Sequence, residues 1–249
     1  MASPQKPAPG LKTAMVLAAG LGLRMRPLTL DQPKALVGLA GKPLIDHVLD
    51  ALSKAGIERA VVNVHHQAEP LVLHLGRKTA PRDIRISDEQ PKLLETGGGI
   101  KKALAELGPG PFFAANCDSF FPDALANPFA LLREAWDEKR MDALLLVVER
   151  KRAVSFEGPG DFFLDAEGRL ARRALRAKAP FVFTGVQILK PGLFDRDGPE
   201  VFSLNRIYDR ALGAATLFGL VYPGPWFHIG APSDLAPAEV FVAKRTGGG

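Results

Sequence analysis

Apolar positions follow two rhythms along this chain, and the rhythms alternate. Residues 13–18 form a short unbroken run of aliphatic side chains that stops at Gly20, the pattern of a strand buried on both faces. Residues 43–56 change to helical spacing, with Leu44, Val48, Leu52 and Ala55 on one stripe. Pro43 opens that stretch and Gly56 closes it, as start and stop signals of a helix. The same reading predicts strands over 60–64, 84–86, 111–116 and 143–148, with helices over 67–75, 97–107 and 129–139 between them. Strands alternating with helices through residue 150 imply a mainly parallel sheet covered on both faces.

Beyond residue 150 the pattern changes. Residues 161–164 and 169–172 flank Asp165-Ala166-Glu167-Gly168 and read as a β-hairpin. Strands follow over 182–189 and 215–221, with helices over 205–212 and 232–243. The expectation is one domain over 13–245, with a nucleotide-binding half (13–150) and an acceptor half (151–245). Residues 1–12 are Pro-rich, lack an apolar core, and are expected to be a disordered lead-in; residues 247–249 are expected to fray.

Composition narrows the class. Of the 249 residues, 47% are hydrophobic and no apolar run approaches the ~20 needed to span a bilayer, so no membrane partner is expected. The one cysteine, Cys117, can form neither an internal disulfide nor a multi-cysteine zinc site, which fits a cytoplasmic setting. The net charge of +5 suits nucleic acid or a small polyanion. It is spread thinly without interleaved aromatics, and the motifs favour the small polyanion.

The richest segment follows the first strand: Leu17-Ala18-Ala19-Gly20-Leu21-Gly22-Leu23-Arg24-Met25, then Pro27-Leu28-Thr29, then Pro33-Lys34. Gly20 and Gly22 let backbone N–H groups approach phosphate oxygens. Arg24 can grip phosphate bidentately and Lys34 can act as a point charge. A P-loop is excluded because no Gly-Lys-Ser/Thr is present, and a dinucleotide fingerprint because the third glycine is missing. The whole string, continued by Gly41-Lys42-Pro43-Leu44-Ile45, resembles the signature of the sugar-1-phosphate nucleotidyltransferase family. The resemblance runs from about Thr13 to Val242 and is strongest before residue 120. It implies a GT-A-like, Rossmann-related α/β fold: a three-layer αβα sandwich on a mainly parallel, mixed central sheet. Leu17, Ala18, Ala19, Gly20 and Gly22 would wrap the triphosphate. Arg24 would hold the leaving phosphates, and Lys34 would contact the α-phosphate and the incoming sugar phosphate.

Glu95-Thr96-Gly97-Gly98-Gly99 sits where a loop enters a helix, and a helix N-terminus bearing glycines can bring N–H groups close to a ligand. In the family this segment lies against the nucleobase, so Thr96, Gly97 and Gly98 are expected there. The wording of residues 94–100 resembles the bacterial N-acetylmuramate 1-phosphate uridylyltransferases, with Gln90 or Glu89 reading the uracil edge. Asn116-Cys117-Asp118 ends an apolar strand, and a carboxylate there suits Mg²⁺, which binds through one or two carboxylates plus substrate phosphates. Asn116 is expected at the nucleotide and Asp118 at the metal. The family has Gly-Asp here, so Cys117 replaces a glycine and reads as a small buried residue.

The second family carboxylate stands in a Trp-x-Asp-x-Gly string, but this chain has Trp226-Phe227-His228-Ile229-Gly230. His228 either binds the metal, for which Mn²⁺ is the better match, or contacts phosphate, or leaves Asp118 to work alone with water. On the acceptor side, Phe183-Thr184-Gly185 resembles the family's sugar-site strand. Asp161, Asn205 and Trp226 are further sugar-site candidates, although Trp226 equally suits a core. The basic run Arg169, Arg172, Arg173 and Arg176 reads as a solvated hairpin face.

The expected partners are a nucleoside triphosphate, UTP favoured, and a sugar 1-phosphate, N-acetylmuramate favoured, in a monomer or small homo-oligomer without nucleic acid. Mannose- or glucose-1-phosphate nucleotidyltransferase is the alternative within the class. An inactive nucleotide-sugar-binding regulatory subunit is the alternative outside it, kept open by His228.

Overall fold

The buried strands pair as the alternation predicts, and the computed structural model describes residues 10–122, 126–195 and 198–246. In chain order the first half comprises β1 (Thr13–Leu17), β2 (Gly38–Leu39), β3 (Lys42–Pro43), α1 (Leu44–Lys54), β4 (Arg59–Val64), α2 (Ala68–Leu75) and β5 (Asp83–Asp88). Then come α3 (Glu95–Leu107), β6 (Phe112–Asn116), β7 (Ser119–Phe120), α4 (Pro128–Ala135) and β8 (Ala143–Glu149). The second half adds β9 (Ala153–Val154), β10 (Phe162–Leu164), β11 (Leu170–Arg172), β12 (Phe181–Leu189), α5 (Asn205–Gly213), β13 (Leu217–Val221), β14 (Trp226–His228) and α6 (Leu235–Thr246).

The main sheet runs β13-β8-β12-β6-β1-β4-β5, and the β10–β11 hairpin joins it at the start of β12. Pairs β1–β4, β1–β6, β4–β5 and β8–β13 are parallel, whereas β12 runs antiparallel to both β6 and β8. Successive side chains of a strand point to opposite faces, so a strand covered on both needs apolar residues throughout. In β1, Ala14 and Val16 pack with α1, α2 and α4 on one face, and Met15 packs with α3 and α5 on the other. The three-layer αβα sandwich of a GT-A-like fold follows directly.

Several boundaries move from their expected places. Leu11 is buried in the core and its carbonyl accepts from Arg133 Nη2 at 3.0 Å, so packing begins before the expected residue 13. Residues 1–9 of the expected lead-in, and residues 247–249, lie outside the described residues. Helix α4 stops at Ala135 instead of residue 139, because Asp137 turns the chain: its carboxylate accepts from Lys139 N and its carbonyl from Met141 N. The closing helix begins with a 3-10 turn over Pro232–Asp234. A second small sheet, β7-β14-β9, escapes the pattern because its strands hold two or three residues.

Helix α3 is capped from a distance. Phe202 O accepts from Gly97 N at 2.8 Å and from Gly98 N at 3.1 Å, and Leu204 N donates to Thr96 Oγ1 at 3.0 Å. The glycines permit this approach: a Cβ on Gly98 would lie 2.1 Å from Glu200 O, and one on Gly97 would lie 2.4 Å from the Phe202 ring. Gly98→Ala is therefore expected to force the 200–204 segment off α3 and to cost about 1–3 kcal/mol, the usual range for overpacking. Urea unfolding checks this, and an unchanged midpoint would refute the contact.

Candidate active site

The chain leaving β1 makes no helix. It makes two 3-10 turns, Leu23–Met25 and Lys34–Leu36, joined by the Pro-Leu-Thr stretch. Gly22 takes a left-handed φ of 64° that favours glycine, and its carbonyl accepts from Thr29 Oγ1 at 2.8 Å. Thr29 thus closes the loop and brings Lys34 back beside Gly22. Met25 is buried among Val37, Leu39, Leu44, Phe120, Phe227 and Ile229, which pins the turn and leaves its neighbour Arg24 free to face the ligand side. The apolar letters of the motif are the anchors of its charged ones.

Opposite this loop stands the end of β6. Leu17 pairs with Asn116 in the parallel register, so both loops leave the sheet at the same edge, where ligands bind in open α/β sheets. Lys34 Nζ donates to Asp118 Oδ2 at 2.5 Å, with side chains only 13% and 15% exposed. The other oxygen, Asp118 Oδ1, is buried without a hydrogen-bond partner. Arg24 has no ion-pair partner among the described residues.

These groups line one cavity of about 490 Å³. One end holds Gly20, Gly22, Arg24, Lys34, Asp118 and Gly230; the walls toward the other end include Asn63, Glu89, Leu93, Glu95 and Thr96. Leu17, Ala18, Ala19, Asn116 and Cys117 complete the floor beside the sheet edge. The small sheet brings His228 to this place by pairing it with Ser119, while Ile229 N donates to Asp118 O at 3.0 Å. Burial holds the His228 imidazole below its usual pKa; Lys34 and Arg24 push the same way, and Asp118 opposes them. Gly230 separates the ring from the cavity: a Cβ there would sit 2.7 Å from His228 Nε2 and 3.5 Å from Arg24 Nη1.

Not every expected residue meets the cavity. Gly97 and Gly98 face the 200–204 segment and have spent their N–H groups on Phe202 O, so α3 offers no bare N-terminus there. Gln90 turns outward and donates to His65 O at 2.9 Å; its neighbour Glu89 lines the cavity instead. Thr184 is fully buried and its hydroxyl donates to Leu146 O at 2.8 Å. Gly185, at φ 83°, lets β12 press against the end of β6, where a Cβ would lie 2.7 Å from Asn116 Nδ2. Asp161 accepts from Phe183 N at 2.9 Å, and burial raises its pKa. Asn205 is held by Arg172, which also pairs with Asp209 at 2.7 Å. Trp226 is 3% exposed and packs with Val148, Ala153 and Val182, the core role of its two alternatives.

Among the lining residues that escaped the sequence reading as site residues are Asn63, Leu93, Glu95 and Gly230. Asn63 carried a signal, since it is the one polar residue in the apolar run 60–64. Glu95 carried none, because nothing in its type announces a non-glycine residue at φ 60° on a cavity wall. Among the described residues no cluster of three or more His, Cys, Asp or Glu is poised to hold a metal.

Comparison with known proteins decides the family. The model of the MobA-like NTP transferase domain matches residues 14–202. The chain belongs to that family. This NTP transferase is 46% identical over 238 residues to an N-acetylmuramate alpha-1-phosphate uridylyltransferase of Caulobacter vibrioides, covering 94% of this chain and 98% of that protein. It is 29% identical to a probable mannose-1-phosphate guanylyltransferase of Oryza sativa subsp. japonica, covering 89% of this chain and 62% of that protein. Among solved structures, the inositol-1-phosphate CTP transferase from T. maritima superposes with a TM-score of 0.73 at 21% identity, covering 96% of this chain and 97% of that one; at that identity it shows the fold. The chain is a sugar-phosphate nucleotidyltransferase, with a nucleoside triphosphate and a sugar phosphate as its substrates. No helix among the described residues is long and apolar enough to cross a membrane.

Cys117 lines the cavity of this NTP transferase yet is chemically quiet. Burial, reinforced by the neighbouring Asp118 charge, pushes its thiol up to about 12. At pH 8 roughly one molecule in 10⁴ carries the thiolate. The native protein is expected to give no reaction with a disulfide reagent such as DTNB at pH 8, and one equivalent after unfolding in guanidinium. One equivalent from the native state would show that the site opens far wider than this.

Proposed function

We propose that this nucleotidyltransferase joins UTP to N-acetylmuramate 1-phosphate and releases pyrophosphate. The observation that carries the mechanism is the convergence of Arg24, Lys34 and Asp118 on one cavity end, with one oxygen of Asp118 buried and unpartnered. The choice of uridine and of N-acetylmuramate is supported by the likeness to the Caulobacter protein along nearly its whole length.

An oxygen of the sugar phosphate attacks the α-phosphorus of the nucleotide. A new P–O bond forms, the bond to the β-phosphate oxygen breaks, and its electron pair leaves with pyrophosphate. The attacking oxygen is already anionic, so no side chain has to remove a proton. What remains is positioning and charge neutralisation. Arg24, which has no ion-pair partner among the described residues, holds the departing phosphates. Lys34 contacts the α-phosphate and the incoming phosphate, and Asp118 keeps it aimed. The loop amides around Gly20 and Gly22 face the triphosphate.

Asp118 Oδ1 has the character of a metal ligand: a buried carboxylate oxygen without a hydrogen-bond partner among the described residues. Together with substrate phosphates and water it fits Mg²⁺, which needs only one or two carboxylates. The ion would neutralise charge developing on the phosphates. His228, its pKa lowered by burial, lies behind Gly230; as an additional ligand or a phosphate contact it would have to reach past that residue, and its nitrogen would make Mn²⁺ an acceptable substitute.

Removing a strong electrostatic contact to a transition state costs about 10²–10³ in rate. Lys34→Ala and Arg24→Ala are each expected to lower kcat by at least that range in a pyrophosphate-release assay with Mg²⁺. Near-wild-type turnover in both would dismiss the site. The same assay, crossing UTP, GTP, CTP, dTTP and ATP with the 1-phosphates of N-acetylmuramate, mannose, glucose and N-acetylglucosamine, tests the substrates. Release is expected from UTP with N-acetylmuramate 1-phosphate. Release from GTP with mannose 1-phosphate would replace that pair. Silence across the grid, with nucleotide sugar still bound, would support a regulatory subunit, and His228→Asp would then be the reversion to make.

A further inference from the structure

Two cavity-lining side chains, Asn63 and Glu89, have no part in the mechanism above, and neither needs one in order to touch substrate. Glu89 is 1% exposed and no cation pairs with it among the described residues. A carboxylate in that position is costly unless its oxygens are satisfied by donors. They are satisfied in a particular way. Ala18 N donates to Asn63 Oδ1 at 2.7 Å, Asn63 Nδ2 donates to Glu89 Oε1 at 2.7 Å, and Leu94 N donates to Glu89 Oε2 at 2.9 Å.

Ala18 begins the glycine-rich loop and Leu94 immediately precedes α3. The two backbone N–H groups face each other across the floor of the cavity, and two side chains join them. Donors stand at both ends of this chain of hydrogen bonds. It closes only if one member is acceptor-only, as a carboxylate is, and the other both accepts and donates, as an amide does. Helix α3 is pressed onto the same pair: a Cβ on Gly99 would lie 2.4 Å from Glu89 Oε1 and 2.9 Å from Asn63 Nδ2.

We propose that Asn63 and Glu89 are positioning residues that fix the separation between the phosphate-facing loop and the wall formed by Leu93, Glu95 and Thr96, so that a nucleoside triphosphate spans the cavity in the geometry the transfer needs. Each arm of the nucleotide meets a different loop, and the relay is what keeps the two loops in register. The inference rests on the enzyme class and on this geometry, and is independent of which base the cavity accepts.

Polarity gives the test. Glu89→Gln leaves one N–H pointed at another whichever way the two amides turn. Asn63→Asp sets two carboxylates against each other. The double variant Asn63→Asp with Glu89→Gln closes the chain again with its central bond reversed: Ala18 N and Gln Nε2 donate to the aspartate, and Leu94 N donates to Gln Oε1. Each single variant is expected to lose about tenfold or more in kcat/KM for the nucleoside triphosphate that the wild type uses, the effect of one misplaced hydrogen bond to a charged group. KM for the sugar phosphate is expected to stay within about twofold, because the relay touches only the nucleotide side. The double variant is expected to exceed both singles by about fivefold or more, a coupling that independent sites do not show. A circular-dichroism melt of each variant accompanies the kinetics. Singles that melt lower but keep wild-type kinetic constants would reduce the pair to scaffolding and overturn the proposal. So would a double variant no better than either single, or one that does not fold.

Discussion

The parallel pairing of β1 with β6 is the constraint on which the cavity depends. Because Leu17 lies opposite Asn116, the chain leaves both strands at the same level of the sheet, and two loops that are about a hundred residues apart in sequence face each other. The first brings two cations, Arg24 and Lys34, to the cavity and the second one carboxylate, Asp118. Their meeting at the Lys34–Asp118 ion pair ties the loops together at the reacting end. Asn63, from β4, and Glu89, just past β5, tie the first of these loops to Leu94 at the start of α3. Four neighbouring parallel strands thus contribute to one floor, and the order β6-β1-β4-β5 is what makes their ends adjacent.

Charge is arranged along this floor in a graded manner. At one end the Arg24 guanidinium, without an ion-pair partner among the described residues, stands with the Lys34 ammonium that Asp118 pairs, so positive charge prevails there. At the far end Glu89 and Glu95 make the wall acidic. The reading proposed above, with phosphates toward Arg24 and Lys34, follows this gradient.

Much of this was legible in the residues. The alternation of 2- and 3.6-residue periods is a strong signal where strands are buried on both faces, and β1, β4, β6 and β8 follow it closely. The glycine-rich string pointed to Arg24 and Lys34 and the end of the fourth strand to Asp118, and the fold brings the three to one cavity. What the sequence hid has physical reasons. Strands of two or three residues carry no period, so the β7-β14-β9 sheet that delivers His228 was invisible. The glycines at 97 and 98 looked like ligand contacts because glycine marks close approach without saying to what, and the approaching group is the 200–204 backbone. Acceptor-side residues were expected around a sugar, yet Thr184 and Trp226 are committed to the interior and Asn205 to Arg172. Side chains drawn by long-range packing cannot be told from ligand contacts by type alone.

The seating of residues 200–204 on the glycines of α3 has a consequence for how such enzymes diversify. The start of α3 and the segment approaching it from the second half of the chain share one tight joint: two backbone N–H groups on Phe202 O, Leu204 N on Thr96 Oγ1, and glycines whose place no larger residue can take. Grafting the residue 94–99 segment from a relative with different nucleotide choice would import one half of that joint without its mate. An exchange that leaves the joint intact has to carry both pieces together, although about a hundred residues of sequence lie between them.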